Sequence, residues 1–496
     1  MADKVLALDF GASSGRAITG EFDGEKIITE EVHRFSNDPV RVGDTIYWDI
    51  LRLYHELKQG IVKASEKGEL LSLGIDTWGV DFALIGKDGR LLENPVHYRD
   101  ARTKGLVEEC AEIVPDKEFY GKTGIQFMEL NTVYQLYSLK KYRPELLDSA
   151  DKMLFLPDYF GYLLTGKKAA EYSIATTSQM IDAKTGAWAY DTLDKLGIPS
   201  RLLCDIVPSG SVLGNLTESV CDELSVKPIP VINVCGHDTQ SALTAVPSQS
   251  KDFAFMSCGT WSLIGTELEE PLLSEEAFDL NFTNEGGYGG SIGFLKNVVG
   301  LWLIQESRRH WNRHGANYSY ADLEREALAA EPFKSFIDPD DPDFVAPGNV
   351  PERIRNYCRR TGQPVPETVG EIMRCIYESL ACKYRQTFER LESATGKYYP
   401  EIHVIGGGTK DTLLCRMAAC STNKKITAGP VEATVLGNIA LQLIAAGKIS
   451  SISEARKIIA NSEKTLEYIP ENTKEWETAY DKYLKSTTQR KEDING

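Results

Sequence analysis

The chain is poor in cysteine for its length, with 10 cysteines in 496 residues. That density is too low for a disulfide scaffold, and no C-x-x-C pair is present, so neither a zinc site nor thioredoxin-type chemistry is indicated. Cys358 and Cys375 flank one loop, and Cys415 and Cys420 are close in sequence, so either pair can be oxidised or reduced. Reduced thiols in a cytoplasmic protein are expected.

Long apolar segments and a secretory signal are also missing. Residues 439–446 are the most apolar late segment, but Gln442 interrupts them, and a bilayer span takes about 20 residues. The start, M-A-D-K followed by V-L-A-L, lacks the basic and apolar regions of a signal peptide. Association with a membrane is therefore not expected.

Positive charge is in deficit, since 55 Lys and Arg face 72 Asp and Glu and the formal net charge is −17. The nearest approach to a basic run, at residues 308–314, is interpreted as a solvated helix face. Nucleic-acid binding is therefore not expected. An acidic chain can still bind ATP, provided that backbone amides and a metal ion receive the phosphates.

The length predicts more than one domain, because a domain has about 150 residues on average. Strands and helices alternate to about residue 245, which indicates a mixed α/β domain. A strand, a turn of small residues and a returning strand occur at residues 4–22 and again at 253–265. The sequence thus predicts two related domains, at 1–246 and 247–480, followed by a polar tail at 481–496.

The first of these turns has the composition of a phosphate-binding loop. Residues 9–16 read D-F-G-A-S-S-G-R, and amides of such a loop can point at an anion. Gly11 and Gly15 would permit a tight turn and close approach. Asp9 can hold a hydrated Mg²⁺ ion, and Arg16 can meet a phosphate oxygen. An ordinary Gly/Ser turn explains the loop alone equally well.

The other glycine-rich segments do not match known nucleotide-binding motifs. Residues 161–168 match most of G-x-x-x-x-G-K but lack the final Ser or Thr, and their aromatic residues predict a helix that ends at Gly166. No G-x-G-x-x-G follows a strand, which disfavours a dinucleotide fold. Residues 403–409 are a strand that runs into three glycines, where backbone can pass beside a flat ring or phosphates.

His237 and Asp238 are the catalytic candidates. They follow a predicted strand at residues 230–234 and stand at a predicted helix start. A carboxylate in that place can accept the proton of an attacking hydroxyl, as phosphoryl transfer to an alcohol requires. A helix cap for Asp238 and a structural role for His237 stay open as alternatives.

Together these segments resemble the FGGY carbohydrate kinases of the sugar kinase, actin and Hsp70 superfamily. The resemblance covers residues 9 to about 437. Its motifs are D-F-G-A-S-S-G-R (9–16), G-I-D-T-W-G-V-D-F (74–82), Y-R-D-A-R (98–102), L-P-D-Y-F (156–160), L-T-G (164–166), H-D-T (237–239), S-C-G-T-W-S (257–262), K-N (296–297), G-L-W (300–302), G-G-G (406–408), G-P-V-E-A (429–433) and L-G (436–437).

The resemblance implies an α/β fold of two actin-like ATPase domains, ribonuclease H-like, around a central nucleotide and sugar cleft. The sugar-binding domain would be 1–246 and the nucleotide-binding domain 247–480. The implied reaction transfers the γ-phosphoryl group of ATP to the C1 hydroxyl of L-rhamnulose, with Mg²⁺, giving L-rhamnulose 1-phosphate and ADP in L-rhamnose catabolism. A ketose and ATP are the implied partners of a cytoplasmic monomer or homodimer.

The resemblance also implies the roles of particular residues. Asp238 would be the proton acceptor, and Asp9 would hold Mg²⁺ through water. The implied ATP contacts are Ala12, Ser13, Ser14, Gly15, Arg16, Thr260, Gln305 and Gly407. The implied sugar contacts are Thr77, Gly79, Asp81, His237 and Asn297. Cys258 stands where a relative has Ser, and its small side chain leaves a phosphate-loop role for the backbone intact.

Two kinds of alternative function remain at this point. Within the class, the sugar can be another ketose, such as L-fuculose or L-xylulose. From another class, the same fold serves non-catalytic sugar sensors and chaperone-like or filament ATPases. A chaperone needs a peptide-binding domain, whereas about sixty residues follow Gly437, and the presence of both Asp9 and Asp238 favours an enzyme.

Overall fold

The computed structural model describes the backbone of residues 3–494 and the side chains up to residue 487. The strands are β1 Asp3–Phe10, β2 Ser14–Phe22, β3 Ile27–Ser36, β4 Val40–Val42, β5 Thr45–Tyr47, β6 Ser72–Thr77, β7 Phe82–Gly86, β8 Ala150–Phe155, β9 Ala170–Glu171, β10 Ile206–Val207, β11 Ser211–Asn215, β12 Pro230–Asn233, β13 Ala254–Cys258, β14 Trp261–Leu268, β15 Thr283–Gly286, β16 Ile292–Val299, β17 Glu401–Ile405, β18 Lys425–Ala428 and β19 Leu466–Tyr468.

Helices alternate with these strands over most of the chain. They are α1 Ile50–Glu66, α2 Leu106–Ala111, α3 Asp116–Thr123, α4 Thr132–Tyr142, α5 Pro144–Ser149, α6 Leu156–Thr165, α7 Tyr172–Thr176, α8 Tyr190–Leu196, α9 Glu218–Leu224, α10 Asp238–Thr244, α11 Glu275–Asp279, α12 Trp302–Arg313, α13 Tyr320–Ala329, α14 Val350–Arg360, α15 Val369–Thr395, α16 Thr412–Thr422, α17 Ala433–Ala445, α18 Ile452–Ser462 and α19 Thr473–Ile494. Helix α6 ends at Gly166 with φ +73°, as its aromatic pattern predicted.

The first large sheet has the strand order β11-β12-β6-β1-β2-β3. β1 pairs antiparallel with β2 and parallel with β6, which places it in the middle of the sheet. Residues 5–8 of β1 are all buried, as expected for a central strand covered on both faces. Helix α1 begins after Asp49, whose side chain accepts from the amide of Arg52, and packs Gly60 closely against Ala17 of β2.

The second large sheet has the order β15-β16-β14-β13-β17-β18-β19. β13 pairs antiparallel with β14 and parallel with β17, so a strand hairpin followed by a parallel neighbour occurs in this sheet as it does at β1, β2 and β6. The repeated strand, turn and strand predicted from the sequence is therefore confirmed. The similarity is one of strand order, since the two hairpins share few residues.

The chain divides into two compact units whose segments alternate along the sequence. The first unit is Met1–Lys251, Glu267–Leu295 and Glu432–Lys464, and the second is Asp252–Thr266, Lys296–Val431 and Thr465–Gly496. In these compact units, two segments that follow residue 247 belong to the first unit, while the division into domains at 1–246 and 247–480 stays a prediction. Segment 432–464 belongs to the first unit because α17 packs on β1, β6 and α10, and a Cβ on Gly437 would lie 1.8 Å from the carbonyl oxygen of Ser241.

The segment predicted to be a polar tail, 481–496, is mostly helical. Helix α19 continues through it to Ile494, while residues 495 and 496 lie outside the described residues. All ten cysteines are buried free thiols. Within residues 3–494, no helix has both the length and the apolar character that crossing a membrane would take.

Candidate active site

The first glycine-rich loop closes the hairpin of β1 and β2, which remain paired up to Gly15. The amide of Gly11 donates to the carbonyl oxygen of Ser14 at 2.9 Å. Asn37 braces the loop from outside, because its side-chain amide donates to the carbonyl oxygen of Gly11 at 2.9 Å. The predicted ATP contacts at residues 12–16 therefore lie on a loop of defined shape.

Gly15 has a packing role that the sequence did not reveal. A Cβ atom at this position would lie 2.1 Å from Cζ of the Phe35 ring, a distance that no folded protein tolerates. Phe35 is held on β3 directly opposite Gly15. The absence of a side chain at Gly15 is thus explained by the aromatic ring, and the predicted approach of a phosphate is not needed to account for it.

Arg16 is engaged by two carboxylates. Its guanidinium forms ion pairs with Asp9 across the hairpin and with Glu432 just before α17, and its side chain is 19% exposed. Burial opposes the charge, but the two carboxylates outweigh it and raise the pKa of Arg16. Arg16 thus has two carboxylate partners that the sequence did not indicate, and its expected contact with a phosphate oxygen stays a prediction.

Asp9, Asp76 and Asp238 interact electrostatically. Asp76 lies beside Asp9 in the parallel pair of β1 and β6 and is fully buried. Its Oδ2 accepts from Nδ2 of Asn438 at 2.5 Å, whereas its Oδ1 has no hydrogen-bond partner. Burial, and then the negative charges of Asp9 and Asp238, raise the pKa of Asp76 well above its ordinary value.

These acids suit a hydrated magnesium ion. Mg²⁺ keeps several waters and binds through one or two carboxylates in most proteins. The unpartnered oxygen of Asp76 and the repulsion among the three acids would both be relieved by a nearby cation. Among the described residues, no three side chains of metal-binding type lie close enough together to hold an ion directly. The magnesium role of Asp9 stays a prediction.

A polar ladder on α17 holds Asp76 in place. The side-chain amide of Asn438 donates from Nδ2 to Asp76, and its Oδ1 accepts from Nε2 of Gln442 at 2.7 Å. Gln442 in turn donates to the carbonyl oxygen of Leu6 in β1 at 2.9 Å and accepts from Ser72 in β6 at 2.7 Å. The position of Asp76 therefore depends on α17, which begins more than 350 residues later in the sequence.

His237 and Asp238 stand at the start of α10. His237 occupies the N-cap position, and no side chain caps the helix, so the alternative of Asp238 as a helix cap is not supported. The Asp238 side chain is 29% exposed, and its Oδ1 lies 3.5 Å from Nε2 of His237. Burial raises the pKa of Asp238 to about 6, against the lowering effect of His237. A carboxylate with a pKa close to neutrality is suited to accept a proton.

Glu285 faces the opposite side of the His237 ring. Its Oε2 lies 3.1 Å from Nδ1 of His237, and the side chains of the two residues are only 7% and 9% exposed. Burial disfavours a charged imidazole, but Glu285, followed by Asp238, outweighs burial and raises the pKa of His237. The imidazole is thus placed between two carboxylates.

Glu171 fastens the loop that precedes His237. Its carboxylate is buried and accepts from the amide of Gly236 at 2.9 Å, from the amide of Ser173 at 3.0 Å and from the amide of Ile174 at 3.1 Å. The hydroxyl groups of Ser173 and Ser209 donate to it as well. Five donors therefore surround one buried carboxylate, and one of them belongs to the residue next to His237.

Asp81 is the centre of a buried polar cluster. Its Oδ2 accepts from Nε1 of Trp48 at 2.6 Å, from Nε1 of Trp78 at 2.9 Å and from the amide of Tyr98 at 3.2 Å, and its Oδ1 accepts from Gln135 at 3.1 Å. Burial raises the pKa of Asp81 to about 6, against these donors. Four hydrogen bonds occupy the acceptor sites of a carboxylate, and the residue has no exposed surface, so the expected direct contact of Asp81 with a sugar disagrees with the structure.

The remaining predicted sugar contacts of the first unit lie on the same loop. Thr77, at the end of β6, donates its amide to the carbonyl oxygen of Gly236 at 2.8 Å, which joins this loop to the segment before His237. Gly79 is half-buried, and a Cβ atom on it would lie 3.2 Å from Thr177. The structure thus joins Thr77 to the segment before His237 and places Gly79 against Thr177.

Val80, between Gly79 and Asp81, has φ +68°. For a β-branched residue this left-handed conformation costs on the order of 1–3 kcal/mol. Its amide donates to Oγ1 of Thr177 at 3.1 Å, and its carbonyl oxygen accepts from Oγ1 of Thr132 at 2.6 Å. Two buried threonines therefore hold the strained residue in place beside the predicted sugar contacts.

Within the second unit, the structure brings Thr260 and Gln305 together. Oγ1 of Thr260 donates to Oε1 of Gln305 at 3.3 Å. Residues 300 and 301 pack closely on the turn between β13 and β14, because the amide of Leu301 donates to the carbonyl oxygen of Gly259 at 2.9 Å and a Cβ on Gly300 would lie 2.8 Å from that same oxygen. Two of the predicted ATP contacts are thus neighbours at the second hairpin.

The three consecutive glycines lie beside the same hairpin. A Cβ on Gly408 would lie 2.3 Å from Sγ of Cys258, and a Cβ on Gly406 would lie 3.4 Å from the carbonyl oxygen of Cys258. Gly407 differs, since no atom lies within 4 Å of the position of a Cβ. Asn297, the predicted sugar contact of this unit, is half-buried on β16.

Sequence inspection gave no role to Glu171, Glu285, Asn438 or Asp76. The first three belong to no motif that was recognised, and their partners lie far away along the chain. Asp76 belongs to the G-I-D-T-W-G-V-D-F segment, so its position at the end of a strand parallel to that of Asp9 was an available signal.

Comparison with family models covers almost the whole chain. Residues 4–245 match the N-terminal domain of the FGGY family of carbohydrate kinases, and residues 254–446 match the C-terminal domain of that family. The motifs that suggested the resemblance lie within these two matches or at their edges.

Similar proteins span the chain from end to end. A rhamnulokinase of Bacteroides thetaiotaomicron is 43% identical over 97% of this chain and 98% of its own length. A rhamnulokinase of Oceanobacillus iheyensis is 43% identical over 92% of this chain and 96% of its own. The crystal structure of a ligand-bound xylulose kinase from Lactobacillus acidophilus superimposes with a TM-score of 0.82 at 16% identity, covering 97% of both chains. The predicted two-domain actin-like fold is confirmed.

Proposed function

Because this chain belongs to the FGGY family of carbohydrate kinases, we propose that it transfers the γ-phosphoryl group of ATP to the C1 hydroxyl of L-rhamnulose, giving L-rhamnulose 1-phosphate and ADP. The support for this sugar is the name shared by relatives that are 38–43% identical over 92–97% of the chain. The cytoplasm is the proposed compartment, and the protein is proposed to be a monomer or homodimer.

The observation that supports the chemistry is the partly exposed carboxylate of Asp238 beside His237. In the proposed reaction, Asp238 takes the proton of the C1 hydroxyl while that oxygen forms a bond to the γ-phosphorus and the bond from phosphorus to the β,γ-bridging oxygen breaks. The electron pair of the broken bond leaves with ADP. A pKa of about 6 leaves Asp238 ionised at neutral pH and yet basic enough to hold the proton.

The proposed sugar contacts of the first unit are Thr77, Gly79 and His237. The hydrogen bond from the amide of Thr77 to Gly236, next to His237, supports the grouping of Thr77 with His237. Asn297 is the proposed sugar contact of the second unit. Asp81 is proposed to act indirectly, because its four hydrogen bonds hold Trp78 and the adjoining loop.

The proposed ATP contacts of the first unit are the loop residues Ala12, Ser13, Ser14 and Gly15. In the second unit they are Thr260, Gln305 and Gly407, and the open surroundings of Gly407 leave room for a ligand atom against its backbone. Arg16 is proposed to orient Asp9 by pairing with it, and its contact with a phosphate oxygen stays a prediction. Mg²⁺, held through water by Asp9, would supply positive charge to neutralise the phosphates.

A variant of Asp238 tests the role of the base. Asp238→Asn keeps the shape of the side chain and removes its basicity, so kcat with L-rhamnulose should fall by about 10²–10⁴-fold, the usual contribution of a general base. ATP binding, measured by calorimetry, should persist. Asp222→Asn on the exposed surface of α9 is the matched control and should keep normal turnover. Normal turnover in Asp238→Asn would dismiss this residue as the base.

A panel of sugars tests the substrate. L-Rhamnulose, L-fuculose and L-xylulose are compared by ADP release under identical conditions. A buried polar group that loses its partner costs about 1–3 kcal/mol, so an epimer with one misplaced hydroxyl should lose about 5- to 150-fold in kcat/KM. Higher kcat/KM for another ketose would transfer the proposal to that sugar, and no turnover with any of them would favour a non-catalytic sensor.

A further inference from the structure

His237 stands between two carboxylates from different parts of the chain. Nδ1 lies 3.1 Å from Oε2 of Glu285, and Nε2 lies 3.5 Å from Oδ1 of Asp238. The Glu285 side chain is 7% exposed and that of Asp238 is 29% exposed, so the row runs from the interior to the open side of the site. Each ring nitrogen is therefore matched with one acid.

We propose that Glu285 is a positioning residue for the reaction: it orients the imidazole of His237 and, through it, keeps Asp238 in the ionised form that accepts a proton. This inference rests on the proposed role of Asp238 as the base. The contact with Glu285 is an ion pair, because Nδ1 of His237 has no hydrogen-bond partner of ordinary geometry among the described residues. The attraction of a buried carboxylate for Nδ1 favours the ring orientation in which Nε2 faces the second acid.

The surroundings of Glu285 hold it firmly. It lies on β15 opposite Gly293 of β16, and Nε2 of Gln240 in α10 donates to its Oε2 at 3.3 Å. Gln240 fits because Gly293 has no side chain, since a Cβ there would lie 2.5 Å from Nε2 of Gln240. Glu285 is thus connected to the same helix that begins with Asp238.

Helix α7 fixes the strand of Glu285 from the other side. The amide of Gly286 donates to Oγ1 of Thr176 at 2.9 Å. The ring of Tyr172 lies against Gly286, where a Cβ would be 2.2 Å from the ring. Glu171, which directly precedes Tyr172 in the chain, accepts a hydrogen bond from the amide of Gly236, the residue before His237. Helix α7 and its cap residue Glu171 therefore fix both the strand of Glu285 and the segment before His237.

The charges around the imidazole determine which form it takes. Glu285, Asp238 and Glu171 all favour the protonated ring, and Glu285 has the largest effect of the three. A positive His237 in turn favours the ionised form of Asp238, against the burial of Asp238 and the negative charge of Asp9. Without the charge of Glu285, the ring would be neutral over more of the working pH range, and Asp238 would bind a proton more readily.

The experiment compares pH profiles of kcat/KM for the wild-type protein, Glu285→Gln, His237→Gln and the double variant, with ATP and L-rhamnulose. Glu270→Gln, an exposed acid of the same unit, is the matched control. Removal of one neighbouring charge shifts a pKa by about one unit or more, so the acid limb in Glu285→Gln should move to higher pH by about one unit. A purely structural role would lower kcat/KM at every pH and leave the limb in place.

The double variant separates action through His237 from direct action. If Glu285 acts through the imidazole, Glu285→Gln adds less than a twofold change to the His237→Gln background, and equal effects in both backgrounds would refute the proposal. Should Glu285→Gln fail to fold, His237→Gln alone decides: its acid limb must also move to higher pH, and an unmoved limb refutes the proposal. Failure of the base assignment is recognised separately, by normal turnover in Asp238→Asn.

Discussion

Replacement of Glu171 by glutamine should loosen residues 171–176, which include α7, by an amount that the structure allows us to estimate. The carboxylate accepts at Oε1 from the amide of Ser173 and the hydroxyl of Ser209, and at Oε2 from the amides of Ile174 and Gly236 and from the hydroxyl of Ser173. Glutamine keeps the size of the side chain but turns one acceptor oxygen into a donor. Some of these five donors must then lose their partner.

The cheaper of the two amide orientations determines the cost. With the NH₂ group in the place of Oε2, the amides of Ile174 and Gly236 are both stranded. With it in the place of Oε1, only the amide of Ser173 is stranded, because the hydroxyl of Ser209 can rotate and accept. Each buried N–H without an acceptor costs about 1–3 kcal/mol, so the glutamine variant should make local opening easier by about 1–3 kcal/mol.

Hydrogen exchange followed by mass spectrometry measures this opening directly. At about 1.4 kcal/mol for each tenfold change, exchange of residues 171–176 should be about 5- to 150-fold faster in Glu171→Gln than in the wild-type protein. Ser209→Ala removes one donor and strands no backbone amide, so its effect should be smaller. The exposed Glu270→Gln variant should exchange as the wild type does. Exchange within twofold of wild type in Glu171→Gln would show that the five contacts do not stabilise this segment.

Three further changes have outcomes that follow from single contacts. Gly15→Ala should destabilise the protein by about 1–3 kcal/mol through its clash with Phe35, and Phe35→Leu should restore part of that loss in a thermal unfolding assay. Since the proposed base Asp238 would accept a proton only when ionised and its pKa is about 6, kcat/KM should decline about tenfold for each pH unit below 6, and a flat profile between pH 5 and 7 would contradict this. Gly407→Ala should raise the KM for ATP without a change in melting temperature, because nothing lies where its Cβ would be. Gly408→Ala should lower the melting temperature through its clash with Cys258. The same melting temperature in both variants would contradict this difference in packing.

The elements that could be predicted from the sequence are those fixed by local patterns. The strand, turn and strand expected within residues 4–22 are β1 at Asp3–Phe10 and β2 at Ser14–Phe22, and the strand expected at 230–234 is β12 at Pro230–Asn233. Apolar periodicity and turn residues are properties of neighbouring positions, so they are visible in a single sequence. The hairpin repeated at β13 and β14 was found in the same way.

The roles that could not be predicted depend on partners distant in the chain. The ion pair of Arg16 with Glu432 was not visible because the two residues are 416 positions apart. Asp81 looked available for a sugar because nothing local shows that Trp48, 33 residues earlier, donates to its carboxylate. The alternation of segments between the two units has the same cause, since α17 packs on the first unit through contacts between residues distant in the chain, such as Gly437 and Ser241.

The glycines of the motifs show that a motif residue can be required by packing as well as by a ligand. The sequence assigned Gly15 and the glycines at 406–408 to phosphate or adenosine approach, yet Gly15 and Gly408 are each required by a neighbouring side chain, Phe35 in one case and Cys258 in the other. Only Gly407 among these has open space where a side chain would be. A glycine-rich motif therefore combines positions that fit the protein to itself with positions that leave room for a ligand, and a packing clash at each Cβ distinguishes the two kinds. By that criterion the middle residue of the triple glycine, Gly407, is the one proposed to face the ligand.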